Sequence, residues 1–225
     1  MARLPRLALA GHAHWLMQLG HQATTAFVDD ADRLQYLAAL QAGAQQLAVQ
    51  VHAYALCDSA VHLLLTPQHG SALGRLMQAV GRRYVSAHHR RHGGSGTLWN
   101  GRFRCAVVEP GATLLDVLYF IDSQGSEATH TGQKHRASGE TAGSAAPLLT
   151  DPPEYWALGN TPFDRQAAWR QRLAEGLTPA HTQALLKAAQ GNWAVGSDAF
   201  ALTVAQAAAR PAAPRLRGRP RLKAD

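Results

Sequence analysis

The chain has 225 residues, a 46% hydrophobic composition and a formal net charge of +7 at pH 7, enough for one good-sized domain with appendages and a basic surface suited to a polyanionic partner, most often nucleic acid. No apolar run approaches the roughly 18 residues needed to span a bilayer, and the first ten residues are too short and too basic for a secretory signal. Only Cys57 and Cys105 are present, which excludes a disulfide framework and a CxxC zinc or redox motif and fits a soluble intracellular protein.

His14 to Gly20 reads as a short strand ending at glycine. Asp29, Asp30 and Asp32 supply capping carboxylates to a helix running to about Leu47, with Leu34, Leu37 and Leu40 near one face. From Ala48 to Leu56, Val49, Val51, Ala53 and Ala55 alternate with Gln50, His52 and Tyr54, which predicts a strand with one wet face. Asp58-Ser59 turns the chain, Val61 to Thr66 returns as a strand, and Pro67 stops it. Ser71 is placed to cap a long helix whose stripe is Leu73, Leu76, Met77, Val80 and Tyr84. After the loop Gly93-Gly94-Ser95-Gly96, Phe103 to Val108 reads as a fourth strand. Gly111 to about Gln124 reads as a helix with Leu114, Val117, Leu118 and Ile121 facing the core.

The order β-α-β-β-α-β-α, with right-handed crossovers, predicts an α+β fold. Its centre is a ferredoxin-like four-stranded antiparallel sheet with packed helices, followed by a small helical C-terminal region. Residues 1–128 form the main domain in this reading, and 129–147, rich in Ser, Thr, Gly and Ala, a flexible linker. Within 148–209, Phe163 to Leu177, Pro179 to Gln190 and Trp193 to Ala209 read as helices, and 210–225 as a basic disordered tail.

A series of segments then stands in a specific order: Met1-Ala2-Arg3-Leu4-Pro5-Arg6, Gln18-Leu19-Gly20, Phe27-Val28-Asp29-Asp30-Ala31-Asp32, His52-Ala53-Tyr54 and Val61-His62-Leu63-Leu64-Leu65-Thr66-Pro67. It continues with Gly81-Arg82-Arg83-Tyr84-Val85, Ser95-Gly96-Thr97-Leu98-Trp99-Asn100-Gly101-Arg102-Phe103-Arg104, Pro147-Leu148-Leu149-Thr150 and Tyr155-Trp156-Ala157-Leu158-Gly159. Together they resemble the HUH single-tyrosine transposases, in particular the REP-associated tyrosine transposases of bacteria. The resemblance covers most of the chain. It implies a cytoplasmic, nucleoid-associated homodimer that binds single-stranded DNA hairpins such as repetitive extragenic palindromes, with no membrane partner. It also implies DNA transposition by transesterification through a phosphotyrosine. In such proteins two histidines one residue apart hold Mg²⁺ or Mn²⁺, a tyrosine on the last helix attacks the phosphate, and a polar side chain four residues later completes the metal site.

That spacing has a physical reason. Residues i and i+2 of a strand share a face, so two histidines reach one ion, and residues i and i+4 of a helix share a face, so a tyrosine and an amide meet one phosphate. By the resemblance, His62 matches the second histidine and Gln124 the polar metal partner. Ala60 and Phe120 stand where the first histidine and the tyrosine are expected. Neither can do that chemistry. Tyr119 is the one nearby phenol, but a single residue turns it about 100° away from the Phe120 and Gln124 stripe, which Asp116 shares; it otherwise reads as a packing residue. His12, His14 and His52 are alternative imidazoles, each with an ordinary interior or surface role open to it. After Gln124, relatives often continue with Asn-Pro-Val-Arg, whereas Glu127 here sets negative charge where an arginine would face phosphate.

Candidate DNA-binding groups are Arg75, Arg82, Arg83, Arg90 and Arg91 along the second helix, Arg102 and Arg104 on one face of the fourth strand, and Trp99 as a stacking ring. Arg215, Arg217, Arg219, Arg221 and Lys223 surround a Gly-Arg-Pro resembling an AT-hook core, with a generic electrostatic tail as the other reading. The leading expectation is a hairpin-binding transposase relative with lost or impaired cleavage, needing no cofactor. The alternatives are an active Mg²⁺- or Mn²⁺-dependent nicking and joining transposase using Tyr119, and an RNA-binding or structural ferredoxin-like protein.

Overall fold

A computed structural model describes residues 6–21, 25–124, 130–131, 136 and 148–214. Its elements are β1 (His14–Leu19), α1 (Asp30–Gln46), β2 (Val49–Cys57), β3 (Ala60–Pro67), α2 (Ala72–His92), β4 (Arg104–Val107) and α3 (Ala112–Asp122). A two-residue β5 (His130–Thr131) follows, then α4 (Pro153–Trp156), α5 (Pro162–Glu175), α6 (Pro179–Gln190) and α7 (Asp198–Ala207). The four main strands lie in the order β4-β1-β3-β2, all neighbours antiparallel, as the ferredoxin-like reading expects, and β5 adds to β2 opposite Ala55 and Leu56.

Alternation along the strands sends side chains to two separate cores. One face, with Leu16, Val61, Leu63 and Leu65, packs on α1 and α2. The other, with Trp15, Met17, Leu64 and Ala106, packs on α3, on Trp169 and Leu185 from the C-terminal helices, and on Val195 between them. The α2 stripe is buried as expected, but α1 turns differently: Tyr36, Ala39, Leu40, Gly43 and Ala44 face inward, while Leu34 is exposed. The aromatic Tyr36 and the small residues set this face, because α1 and α2 approach closely there. A Cβ on Gly43 would stand 2.7 Å from Leu76 Cδ1. Asp29 caps α1 by accepting from the Asp32 N–H at 3.0 Å, whereas Ser71 precedes α2 without a side-chain cap.

Four other expectations need correction. The wet face of β2 is dry, and its alternation breaks at His52: the pairing with β3 shifts between Val51 and Ala53, so Tyr54 joins Val49 and Val51 in the first core, Ala53 and Ala55 face the second, and His52 is buried against Thr150 and Thr66. Within the stretch read as a linker, residues 130–131 pair in the sheet and Arg136 is fully buried. Arg210, read as part of a disordered tail, is 8% exposed and bonded to Asn192 O at 3.3 Å. The last helix starts later than read, where Ser197 caps α7 and is itself held by Glu109. Glu127 and residues 215–225, including Arg215, Arg217, Arg219, Arg221 and Lys223, lie outside the described residues.

The C-terminal half is fastened by charge. Arg136 Nε and Nη2 donate to the two Asp122 oxygens at 2.8 and 2.9 Å, and Nη1 donates to His52 O at 2.8 Å and Asp151 Oδ1 at 3.1 Å. Trp169 Nε1 donates to Asp122 at 3.2 Å, and Tyr155 donates to Arg136 O at 3.0 Å. Neither Arg136 nor Asp122 exposes any side-chain surface. Removing one partner of such a pair strands a buried charge and typically costs about 3–5 kcal/mol. Asp122→Ala is therefore expected to lower unfolding stability by about that amount in urea titration; a loss under about 1 kcal/mol would show that the pair does not fasten the fold.

Candidate functional site

β3 carries Ala60, His62 and Leu64 toward α3. Ala60 is the first residue of the strand, opposite Leu19 and Cys57, and offers only a methyl group. His62 is 8% exposed. Its ring packs against Phe120 of α3 with centroids 5.6 Å apart, and Phe120 lies 5.0 Å from the Trp15 indole of β1. The positions that match the metal site of the resembled family thus form a three-ring packing unit inside the second core.

The remaining polar contact of that unit sets the state of His62. Trp15 Nε1 donates to His62 Nδ1 at 3.3 Å, so Nδ1 is the acceptor nitrogen and the proton of the neutral ring sits on Nε2. A histidine that ligates a metal normally donates its other ring nitrogen to an acceptor. Here that nitrogen meets a donor, and Nε2 would have to lose its proton as well. Burial also pushes the His62 pKa down to about 4, so the ring is neutral at physiological pH.

The other expected ligands do not converge on it. Gln124 Nε2 donates back to Phe120 O at 3.1 Å, closing the end of its own helix. Tyr119 turns away as the helical rotation predicts: its hydroxyl lies beside Gly176 at the end of α5, 3.4 Å from where a Cβ there would stand. Asp116, on the Phe120 side of α3, is engaged by Arg172 and by His181 Nε2, the latter at 2.8 Å. His14 and His52 are buried with both ring nitrogens engaged, His52 by Thr150 O and Thr66 Oγ1 and His14 by His12 O and the Leu9 N–H. His12 is exposed on Ala10 O. The residues present therefore do not fit a bound Mg²⁺ or Mn²⁺ beside His62.

The cationic groups fall into two surfaces. Arg75, Arg82, Arg83 and Arg90 are exposed on α2. At 100° per residue they lie within an arc of about 100°, and at 1.5 Å per residue they extend about 22 Å. Arg91 does not join them, because it is bound to Asp29 and Asp32. The second surface is a cleft of about 430 Å³ lined by Arg6, Asn100, Arg102, Arg104, Trp193 and Arg210, among others. Arg102 and Arg104 are exposed on either side of buried Phe103, as strand alternation requires. The Arg6 guanidinium lies 3.8 Å above the Phe103 ring. Burial first, and then nearby Arg102, press the Arg6 pKa below its usual value, and burial does the same to Arg210. No carboxylate is among the described residues that line this cleft.

Trp99 is not at that surface. It is 6% exposed and packs with Phe27, Tyr36 and Tyr84 in the first core, leaving no ring face for a base. The half-buried Trp193 occupies the cleft instead. Sequence reading missed Arg6, Trp193 and Arg210, which come from the two ends of the chain. The sequence marks them only by the charge of the two arginines and the aromatic ring of Trp193, which follows Asn192; the Asn192 side chain accepts from the Cys105 N–H at 2.9 Å and so docks that turn on β4.

No protein-family model matches the chain, and no curated protein matches it by sequence. Among solved structures, it is similar to a REP-associated tyrosine transposase bound to a REP hairpin, with 13% identity and a TM-score of 0.50 over 68% of this chain and 95% of that one. It is also similar to a candidate transposase from Deinococcus radiodurans, with 26% identity and a TM-score of 0.37 over 56% of this chain and 99% of that one. The first likeness establishes a shared fold.

The state of His62 is directly measurable. Its ordinary pKa is 6.5 and its folded value about 4, so between them the unfolded chain binds more protons. The stability contributed by the neutral ring is complete above pH 6.5 and lost as pH falls toward 4. An NMR titration of the His62 ring is expected to show a midpoint near 4 with the proton on Nε2 in the neutral form; a midpoint near 6.5 would refute the buried, hydrogen-bonded state.

Proposed function

We propose that this chain is a relative of the REP-associated tyrosine transposases that holds hairpin DNA and does not cut it. The observation that carries the reading is the cleft at β4, where Arg6, Arg102, Arg104 and Arg210 gather around Trp193 and Asn100 without a lining carboxylate. Clustered guanidinium groups neutralise phosphates, asparagine reads or positions polar edges, and a half-buried indole stacks on an unpaired base. The α2 stripe supplies a second track for backbone phosphates. The ordered sequence segments and the shared fold support the family, and the hairpin carried by the structural neighbour supports the substrate class. With it come single-stranded DNA as the ligand, a homodimer and residence with the bacterial nucleoid.

Loss of cleavage rests on the three-ring unit. Phe120 has no hydroxyl, Ala60 no ligand atom, and His62 spends its acceptor nitrogen on Trp15. No observation favours Tyr119 as the attacking group.

The test is binding of a hairpin oligonucleotide by fluorescence anisotropy across a salt series, with a covalent-adduct gel in Mg²⁺ or Mn²⁺. Each neutralised phosphate contributes about −0.7 to the slope of log affinity against log salt for single strands. Arg102→Ala with Arg104→Ala is therefore expected to flatten the slope by about 1.4 and to weaken binding at low salt. No adduct is expected. Salt-insensitive or absent binding would reject the DNA reading, and an adduct lost in Tyr119→Phe would establish an active enzyme instead.

A further inference from the structure

We propose that Asp32, His88 and His92 form a binding site for a divalent first-row transition ion of the Zn²⁺ class, which staples the first turn of α1 to the last turn of α2. It lies on the opposite side of the sheet from His62, in the layer of the first core, and is independent of the DNA-binding reading.

The three residues bring one carboxylate and two imidazoles together, with ligand atoms all within 4.8 Å of one another. His88 and His92 are four apart on α2 and so share a face, with ring centroids 4.7 Å apart. Asp32 has no exposed surface. Its Oδ2 accepts from the Val28 N–H at 3.0 Å and lies 2.9 Å from His92 Nε2. Ligand atoms about 2.0–2.1 Å from a tetrahedral zinc stand about 3.3–3.4 Å apart. The Asp32–His92 pair is already inside that spacing, and exposed His92 has room to swing for the rest.

A second observation points to a ligand. His88 is only 7% exposed, yet neither of its ring nitrogens has a hydrogen-bond partner among the described residues. A buried polar group left so is costly. Coordination through one nitrogen would remove most of that penalty, and imidazole with carboxylate suits Zn²⁺, Ni²⁺ or Co²⁺. The surrounding charges agree. Arg91 is held by both Asp29 and Asp32, so these two carboxylates exceed it by one negative charge. Arg91 engages Oδ1 of Asp32 and lies 3.4 Å from His92 Nε2, which spans both carboxylate oxygens at 3.0 and 2.9 Å; an outer partner of this kind orients a ligating carboxylate. Three protein ligands leave the fourth position to water on the solvent side of His92.

The competing account is a plain Asp32–His92 ion pair with His88 as packing. Tag-free full-length protein, stripped with chelator, should be dialysed against Zn²⁺ and assayed by elemental analysis and thermal melting, with Co²⁺ as the absorbing probe. The expected result is one tightly held ion per chain, a Tm raised by several degrees, and tetrahedral Co²⁺ bands. His88→Phe, which keeps the ring volume, should abolish all three, as should His92→Gln, whereas His62→Ala should leave them. If His88→Phe fails to fold, His92→Gln decides. No Zn²⁺-dependent rise in Tm, or stoichiometric binding that survives the loss of either imidazole, would overturn the proposal.

Discussion

A guanidinium and a carboxylate, both wholly removed from water, decide how the two halves of this chain meet. Such a pair persists only where hydrogen bonds satisfy what solvent no longer does. Asp122 receives two nitrogens of Arg136 and the Trp169 indole, and Arg136 also reaches His52 O and Asp151. One ion pair thereby sets the register of α3, β2, the segment leading to α4, and α5. Phe120 and Gln124 stand two residues to either side of Asp122 on the chain. The geometry of the three-ring unit thus inherits its placement from a contact that takes no part in it.

Periodicity made the framework legible. The 3.6-residue stripe of α2, the alternation of the strands and the Asp58-Ser59 turn each led to the right element, and together to the right sheet order. Coverage was not legible. The shift in β2 between Val51 and Ala53 turns Tyr54 into the first core, and what hides His52 arrives from Thr150, far along the chain. The same distance concealed the cleft, whose walls join Arg6 to Arg210. Trp99 precedes Arg102 and Arg104 in sequence yet points inward, since the Gly20–Trp99 bridge turns it toward Tyr84. His88, His89, Arg90, Arg91 and His92 stand consecutively in the chain, but the helix divides them into a solvated side and a side that meets Asp32.

At His62 the balance is between a ligand and a core residue. An open metal site needs lone pairs facing a wet, anionic space. The present surroundings supply an indole donor, a phenyl ring and burial, each of which favours a neutral, packed imidazole. Substituting Phe120 for a phenol fills volume with apolar surface, and such surface is stabilising where a buried hydroxyl without a partner would not be. The packed imidazole and phenyl ring therefore stabilise the second core, while the cationic cleft lies on another edge of the sheet.

Both margins of the sheet are also occupied by the chain's own later segments. Beside β4 runs the 192–195 turn, through Asn192 to Cys105 and through Val195 to Val107 and Glu109. Beside β2 run Leu149, Thr150 and the β5 stub. Few main-chain donors are left for a newcomer to pair with. Along these described stretches, continuing the ladder into a second molecule is closed off.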